Sequence, residues 1–190
     1  MIFDQSGNLY GTSSWTAFQL TPSGSGWNFK LLLQTDDTIG AGLTFDESGN
    51  LYGATEDGGP SEGGTAFKVM PSNGWETQMI YGFAPGPGQP YFPGPGATMI
   101  IDNAGNLYGT TTSDGAYGQG SVFKLSPTGD GPWSYNYIDL HDFTGGSDGG
   151  NPSASLVPDN DGNLYGTTEF GGVASECQNR GCGVVFEITP

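Results

Sequence analysis

The pentapeptide Gly-Asn-Leu-Tyr-Gly occurs four times, at 7–11, 49–53, 105–109 and 162–166, each time three residues after an aspartate: Asp4, Asp46, Asp102 and Asp159. Self-similarity of this kind has to be read before any single motif, because it fixes the unit from which the fold is built. The surroundings recur in the same order. A short apolar run (MIF, LTF, MII, LVP) leads into each aspartate. A glycine-bearing loop follows, then a stretch built on a phenylalanine: Phe18, Phe67, Phe123 and Phe186. A proline closes it at Pro22, Pro71, Pro127 and Pro190, and in three repeats a tryptophan (Trp27, Trp75, Trp133) opens a further apolar run. The aspartates are 42, 56 and 57 residues apart.

Each unit offers four strands. In the third they fall at about 98–102, 107–112, 121–126 and 134–143. The Asp-x-x-Gly-Asn stretch reads as the hairpin between the first two, with the aspartate bracing a type I turn and the glycine taking a positive φ. Leu107 and Tyr108 then point to opposite faces of one strand. Both faces are apolar, so both have to be covered by neighbouring sheets. The expected fold is all-β: a β-propeller-like array of four repeats of four-stranded antiparallel sheets, at about 1–42, 43–98, 99–155 and 156–190 in one domain. A β-solenoid fits less well, since its coils are shorter and lack hairpin-linked quartets. The last repeat stops after its third strand, giving fifteen strands and an open edge. A fragment of a longer array, a closed four-bladed ring and a homo-oligomer joined head to tail all answer to that edge.

Composition agrees with short strands and tight turns. The 190 residues include 35 glycines and 13 prolines, yet 34% are hydrophobic and 13% aromatic, enough apolar area to offset ordering entropy. The net charge of −16 disfavours nucleic acid and anionic membranes as partners. The chain contains no apolar run long enough for a membrane span. It also shows no signal peptide, so an export signal is expected outside it.

At these residues the chain resembles the tandem-repeat GloVer-containing bacterial extracellular proteins. The resemblance rests on the D-x-x-GNLYGTT core (Asp102–Thr111 and Asp159–Thr168), the GG loop at Gly171 and Gly172, the G-x-VF strand (Gly120–Phe123, Gly183–Phe186) and the tryptophan-bearing strand. It covers essentially the whole chain; the first repeat departs most, with SSWTAF in place of a glycine-rich loop. It implies an exported, propeller-like surface protein and no particular reaction.

Candidate sites are few. The distance from the repeat tyrosine to the repeat phenylalanine is 8, 15, 15 and 21 residues, so the loop between them is the variable one, where recognition tends to sit. Trp15, Tyr117 and Phe170, with Tyr91 in the proline- and glycine-rich stretch 84–96, are candidate sugar-stacking residues. The recurring Trp27, Trp75 and Trp133 read as packing residues. Asp159, Asp161 and Asn163 resemble part of a calcium loop, but Ser6, Ser48 and Ala104 stand where Asp161 does, so turn chemistry is the better reading and Ca²⁺ the alternative. No other cofactor is expected. Cys177 and Cys182, five positions apart, are expected to form a local disulfide, which points to an oxidising compartment. His141, with Asp139 or Asp142 as partner and Ser153 or Ser155 as nucleophile, lacks any nucleophile-elbow or metalloprotease pattern, so no catalytic residue is assigned. The expectation is a non-catalytic extracellular or cell-surface repeat protein with a structural or interaction role. Glycan binding through the variable loops comes second, and a carbohydrate-active enzyme third.

Overall fold

The computed structural model describes residues 1–84, 94–129, 131–173 and 181–190. The protein is all-β, with four separate antiparallel sheets of four, four, four and three strands, each sheet drawn from one repeat and wound in sequence order. Sheet I holds β1 (Ile2–Phe3), β2 (Leu9–Ser13), β3 (Thr16–Ser23) and β4 (Gly26–Gln34). Sheet II holds β5 (Thr44–Phe45), β6 (Leu51–Ala54), β7 (Thr65–Met70) and β8 (Glu76–Gly82). Sheet III holds β9 (Ile100–Ile101), β10 (Leu107–Thr111), β11 (Ser121–Pro127) and β12 (Tyr135–Asp142). Sheet IV holds β13 (Val157–Pro158), β14 (Leu164–Thr167) and β15 (Val185–Ile188). The only helical turn among the described residues is a 3₁₀ turn at Pro71–Asn73.

The second glycine of GNLYG and the repeat phenylalanine are cross-strand partners: Gly11 with Phe18, Gly53 with Phe67, Gly109 with Phe123 and Gly166 with Phe186. The ring lies over its glycine so closely that a Cβ at Gly53 would stand 2.5 Å from Phe67 Cζ. An aromatic ring shielding a strand glycine replaces the missing side chain and pins the register. The two repeated residue types thus form one packing unit.

A further regularity was not foreseen. Each four-stranded sheet carries a β-bulge at one place, between Ala17 and Phe18, Ala66 and Phe67, and Val122 and Phe123. The register shift leaves Leu32, Ile80 and Leu140 without a strand partner. A bulge re-aims the extra side chain. Leu32 and Ile80 are buried, and Leu140 packs on the edge of a core cluster.

The core lies between the sheets, as three similar joints. The Tyr face of sheet I (Tyr10, Ala17, Leu32) packs against the Phe face of sheet II (Leu43, Leu51, Phe67, Val69). The Tyr face of sheet II (Tyr52, Ala66, Ile80) meets the Phe face of sheet III (Met99, Leu107, Phe123, Leu125). The Tyr face of sheet III (Tyr108, Val122, with Phe143) meets Leu156, Leu164 and Phe186 of sheet IV. This is the face-to-face stacking of propeller blades. Among the described residues, two faces have no sheet against them. On the Phe face of sheet I, Met1 is 80% exposed, Phe3 64% and Phe29 63%. On the Tyr face of sheet IV, Val157 is 63% and Val185 76% exposed, whereas Ala17, Ala66 and Val122, at the position of Val185, are all at 0%.

The tryptophans do not share one environment. Trp75 packs on Tyr10 of sheet I, with ring centroids 5.9 Å apart, and Lys30 Nζ lies 5.0 Å from its ring. Trp133 sits two residues before the matching position, which Tyr135 fills. Tyr135 is buried and interacts with the Tyr52 hydroxyl, while the exposed Trp133 donates its backbone N–H to Met79 of sheet II. Trp27 stands half-exposed on the open face of sheet I.

Candidate functional site

The four aspartates build the same turn four times. Oδ1 accepts the backbone N–H groups of the second and fourth following residues, all at 2.9 Å. Oδ2 accepts the asparagine Nδ2 at 2.7–2.9 Å and the tyrosine hydroxyl at 3.0–3.3 Å. The glycine N–H closes the turn on the aspartate carbonyl, with φ of +80° at Gly7, Gly49 and Gly105 and +87° at Gly162. That left-handed residue after a type I turn is what a three-residue hairpin loop requires. The Asp, Gly, Asn and Tyr of the motif are therefore a closed hydrogen-bonding set.

The electrostatics follow from those bonds. At Asp4 and Asp102 burial pushes the carboxyl up, but the bonds from the asparagine side chain and backbone, the tyrosine hydroxyl and the second amide outweigh it and hold both below the ordinary value. At Asp159 the Asn163 side chain leads in lowering it. The tyrosines move the other way: burial first, then the aspartate, raises Tyr10 and Tyr108 to about 12. Lys68 and Lys124 lie 5.5 and 5.4 Å from the Tyr52 and Tyr108 rings.

The same geometry shows how the calcium candidates are used in the turn. Asp159 makes the turn made by Asp102, although Ala104 stands where Asp161 does. Asp161 enters through its backbone N–H, Asn163 donates its Nδ2 to Asp159, and both carboxylate oxygens of Asp159 already accept donors within the turn. Among the described residues no group of three or more His, Cys, Asp or Glu is placed to hold a metal ion.

The turns stand side by side along one rim. A groove of about 520 Å³ runs between the first and second, lined by Asp4, Ser6, Asp46 and Glu47. Another of about 430 Å³ runs between the third and fourth, lined by Asp102, Asn103, Asp159 and Asn160. Both are open and their aspartates are already bonded.

The loops between second and third strands form the other rim, where linkers between sheets are stitched to them; Ile39 donates its N–H to Ser14, Glu56 to Thr38 and Asn151 to Gln119. Trp15 and Tyr117 lie here, 60% and 61% exposed. Phe170 is half-buried, in a bridge with Gly150. The three sit on different loops, and Tyr91 lies outside the described residues. So does Cys177, and with it the expected Cys177–Cys182 pairing.

Carboxylates gather on this rim, and of them the sequence reading singled out only Asp139 and Asp142, as partners for His141. Asp57 accepts the Thr38 N–H and hydroxyl, and Asp142 accepts the Ala116 N–H at 2.9 Å. Burial and then the charge of Asp57 raise Asp37 and Glu56. Burial leads at Asp114 and Asp139 too, with Asp142 adding to it. The signal was the Asp-Gly pair, at 57–58 and 114–115, in the loops of the second and third repeats. His141 lies on β12, 3.4 Å from Asp148 and edge-on to Phe143 at 4.7 Å.

None of the curated proteins matches the chain. The model of the Gloeobacter/Verrucomicrobia repeat matches residues 1–190, the span over which the turn, the glycine–phenylalanine pair and the face-to-face joints recur. The protein belongs to the Gloeobacter/Verrucomicrobia repeat family.

Proposed function

We propose that this repeat protein is a non-catalytic scaffold acting outside the cell or at its surface, with a structural or interaction role. One observation carries the reading: the residues repeated four times are spent on construction. Each Asp, Asn and Tyr of the motif satisfies the others within its own turn, and Gly and Phe lock the sheet. What differs between repeats is the rim loops, the surface that a scaffold varies. Export would give the expected Cys177–Cys182 disulfide the oxidising compartment it needs.

The scaffold reading is tested by incubating the pure protein with a panel of polysaccharides and following reducing ends. No turnover is expected; turnover abolished by substituting an acidic residue would overturn it. Intact mass before and after reduction tests the disulfide, with a gain of two hydrogens expected.

Exposed Trp15 and Tyr117 on one rim favour glycan binding as the second reading, since a flat aromatic face on a fixed loop stacks on sugar rings. Saturable glycan-array binding, lost in Trp15→Ala or Tyr117→Ala, would establish it.

A further inference from the structure

We propose that Tyr81 and Tyr137 form an oxidative cross-linking site, at which a small one-electron oxidant withdraws an electron from each phenol and the two rings join through a carbon–carbon bond that staples sheet II to sheet III. The inference goes beyond the scaffold reading and does not rest on it.

Tyr81 lies on β8 and Tyr137 on β12, and both pack at the joint between the two sheets, each half-buried. Their rings are stacked, with centroids 5.6 Å apart and planes 21° from parallel. Phe83 and Phe123 complete the cluster, 4.9 Å from Tyr81 and 5.8 Å from Tyr137, and neither has a hydroxyl to oxidise. The joint does not need tyrosine at these positions. Between sheets I and II the register places Leu33 where Tyr81 stands and Thr77 where Tyr137 stands. That joint still buries Leu51 and Phe67 completely. The tyrosine pair is therefore an addition to the repeat and not one of its packing requirements.

The surroundings suit the loss of electrons. Burial raises both phenols above their ordinary value, and the charge of Asp114 adds to it at each. The Ser121 hydroxyl, 3.3 Å from that of Tyr137, works against the rise there, while Asp139 and Tyr81 add to it. Asp114 acts on both hydroxyls and Tyr81 on that of Tyr137, so the hydroxyl ends are neighbours, and with them the ring carbons ortho to each. Negative charge that opposes loss of a proton favours loss of an electron from a neutral ring, because it stabilises the positive charge that builds there. Each phenol gives one electron to the oxidant and one proton to water or to Asp114, whose carboxyl is held above the ordinary value by burial. The two phenoxyl radicals couple at ortho carbons, and the hydrogen on each of those carbons moves to its oxygen. Both rings are then phenols again, and the product lacks two hydrogens. Stacking before oxidation makes the coupling a step between fixed neighbours.

The test is brief illumination of the pure protein with tris(bipyridyl)ruthenium(II) and persulfate, at high dilution so that the exposed Tyr117 does not join two chains. Single chains should gain the blue fluorescence of a biphenol and lose two hydrogens by intact mass. Cleavage after Lys68, Lys124 and Arg180 puts Tyr81 in fragment 69–124 and Tyr137 in fragment 125–180, and the two should be recovered as one species. Fragmentation of that species should place the bond between Tyr81 and Tyr137. Tyr81→Phe and Tyr137→Phe keep the rings and should each abolish the product, with a cooperative melt showing that the fold is kept. Tyr117→Phe should leave it unchanged. Oxidation in denaturant should lower the yield at least about tenfold, since the rings are no longer held together. A chain that does not cross-link within itself, a product that survives in either phenylalanine variant, a bond between fragments 31–68 and 125–180 (as Tyr52 and Tyr135 would give), or an equal yield in denaturant would each overturn the proposal. None of these bears on the polysaccharide assay, so the scaffold reading fails separately, by turnover.

Discussion

Gly53→Ala and Gly11→Ala are the same substitution in the same motif, yet the structure predicts different costs. A Cβ at Gly53 would lie 2.5 Å from Phe67 Cζ and 3.0 Å from Leu43 Cδ2. Carbon atoms prefer about 3.5–4.0 Å, so the ring would have to retreat by roughly 1 Å. Phe67 is fully buried beneath sheet I and has nowhere to go. Overpacking of this kind costs about 1–3 kcal/mol. The φ at Gly53 is not positive, so alanine recovers about 0.4–1 kcal/mol of backbone entropy. A net loss of about 1–2 kcal/mol remains, which lowers the melting temperature by roughly 3–7 °C in a chain of this length. At Gly11 the Cβ would come within 2.8 Å of Phe18 Cζ and 3.0 Å of Met1 Cγ. Those two line the open face, with Met1 80% exposed, and both can swing outward. The loss there should stay below about 0.5 kcal/mol. Differential scanning calorimetry at high dilution reads both. Equal losses at the two sites, or no loss at Gly53, would refute the argument that the covering sheet makes the glycine obligatory.

Asp102→Ala removes the acceptor for four hydrogen bonds and should cost about 2–4 kcal/mol in denaturant unfolding, with Asp102→Asn nearer half of that. Ile80→Ala empties the bulge position of sheet II, 1% exposed, and should cost about 2–4 kcal/mol by the same measurement. Lys124→Met should cost about 1 kcal/mol, the worth of a cation–π contact made by a partly exposed lysine on the Tyr108 ring. Stability should peak at weakly acidic pH. Asp4, Asp102 and Asp159, held low, stabilise the fold above about pH 4, and that contribution is lost as pH falls through their lowered values. Asp37, Glu56, Asp114 and Asp139, held high, favour the fold when protonated, so stability declines as pH rises through their raised values. Thermal melts between about pH 3 and 8 should show the maximum; a steady rise to pH 8 would contradict it.

The turn was legible in the sequence because its chemistry is local: Asp4 to Tyr10 contains every donor and acceptor it uses. The alternation of Leu107 and Tyr108 across two faces was legible for the same reason. Pairing of Gly109 with Phe123 was not, because it spans a loop whose length varies between repeats. The bulge at Leu32, Ile80 and Leu140 was hidden as well, since a register shift changes no residue type. Trp133 misled because a shared residue type suggested a shared position, which the strand register gives to Tyr135. Phe18 and Phe67 look equivalent on the page and differ only in whether a sheet lies over them. The loop aromatics Trp15 and Tyr117 could be found by their irregularity, but their exposure depends on the scaffold beneath.

The self-sufficiency of the aspartate turn has a consequence for how such chains change length. A hairpin that closes within seven residues draws every donor and acceptor from its own turn, and each internal joint sets the Tyr face of one sheet against the Phe face of the next. Inserting or deleting a unit would still set a Tyr face against a Phe face at every joint. Growth by duplication therefore requires no new chemistry.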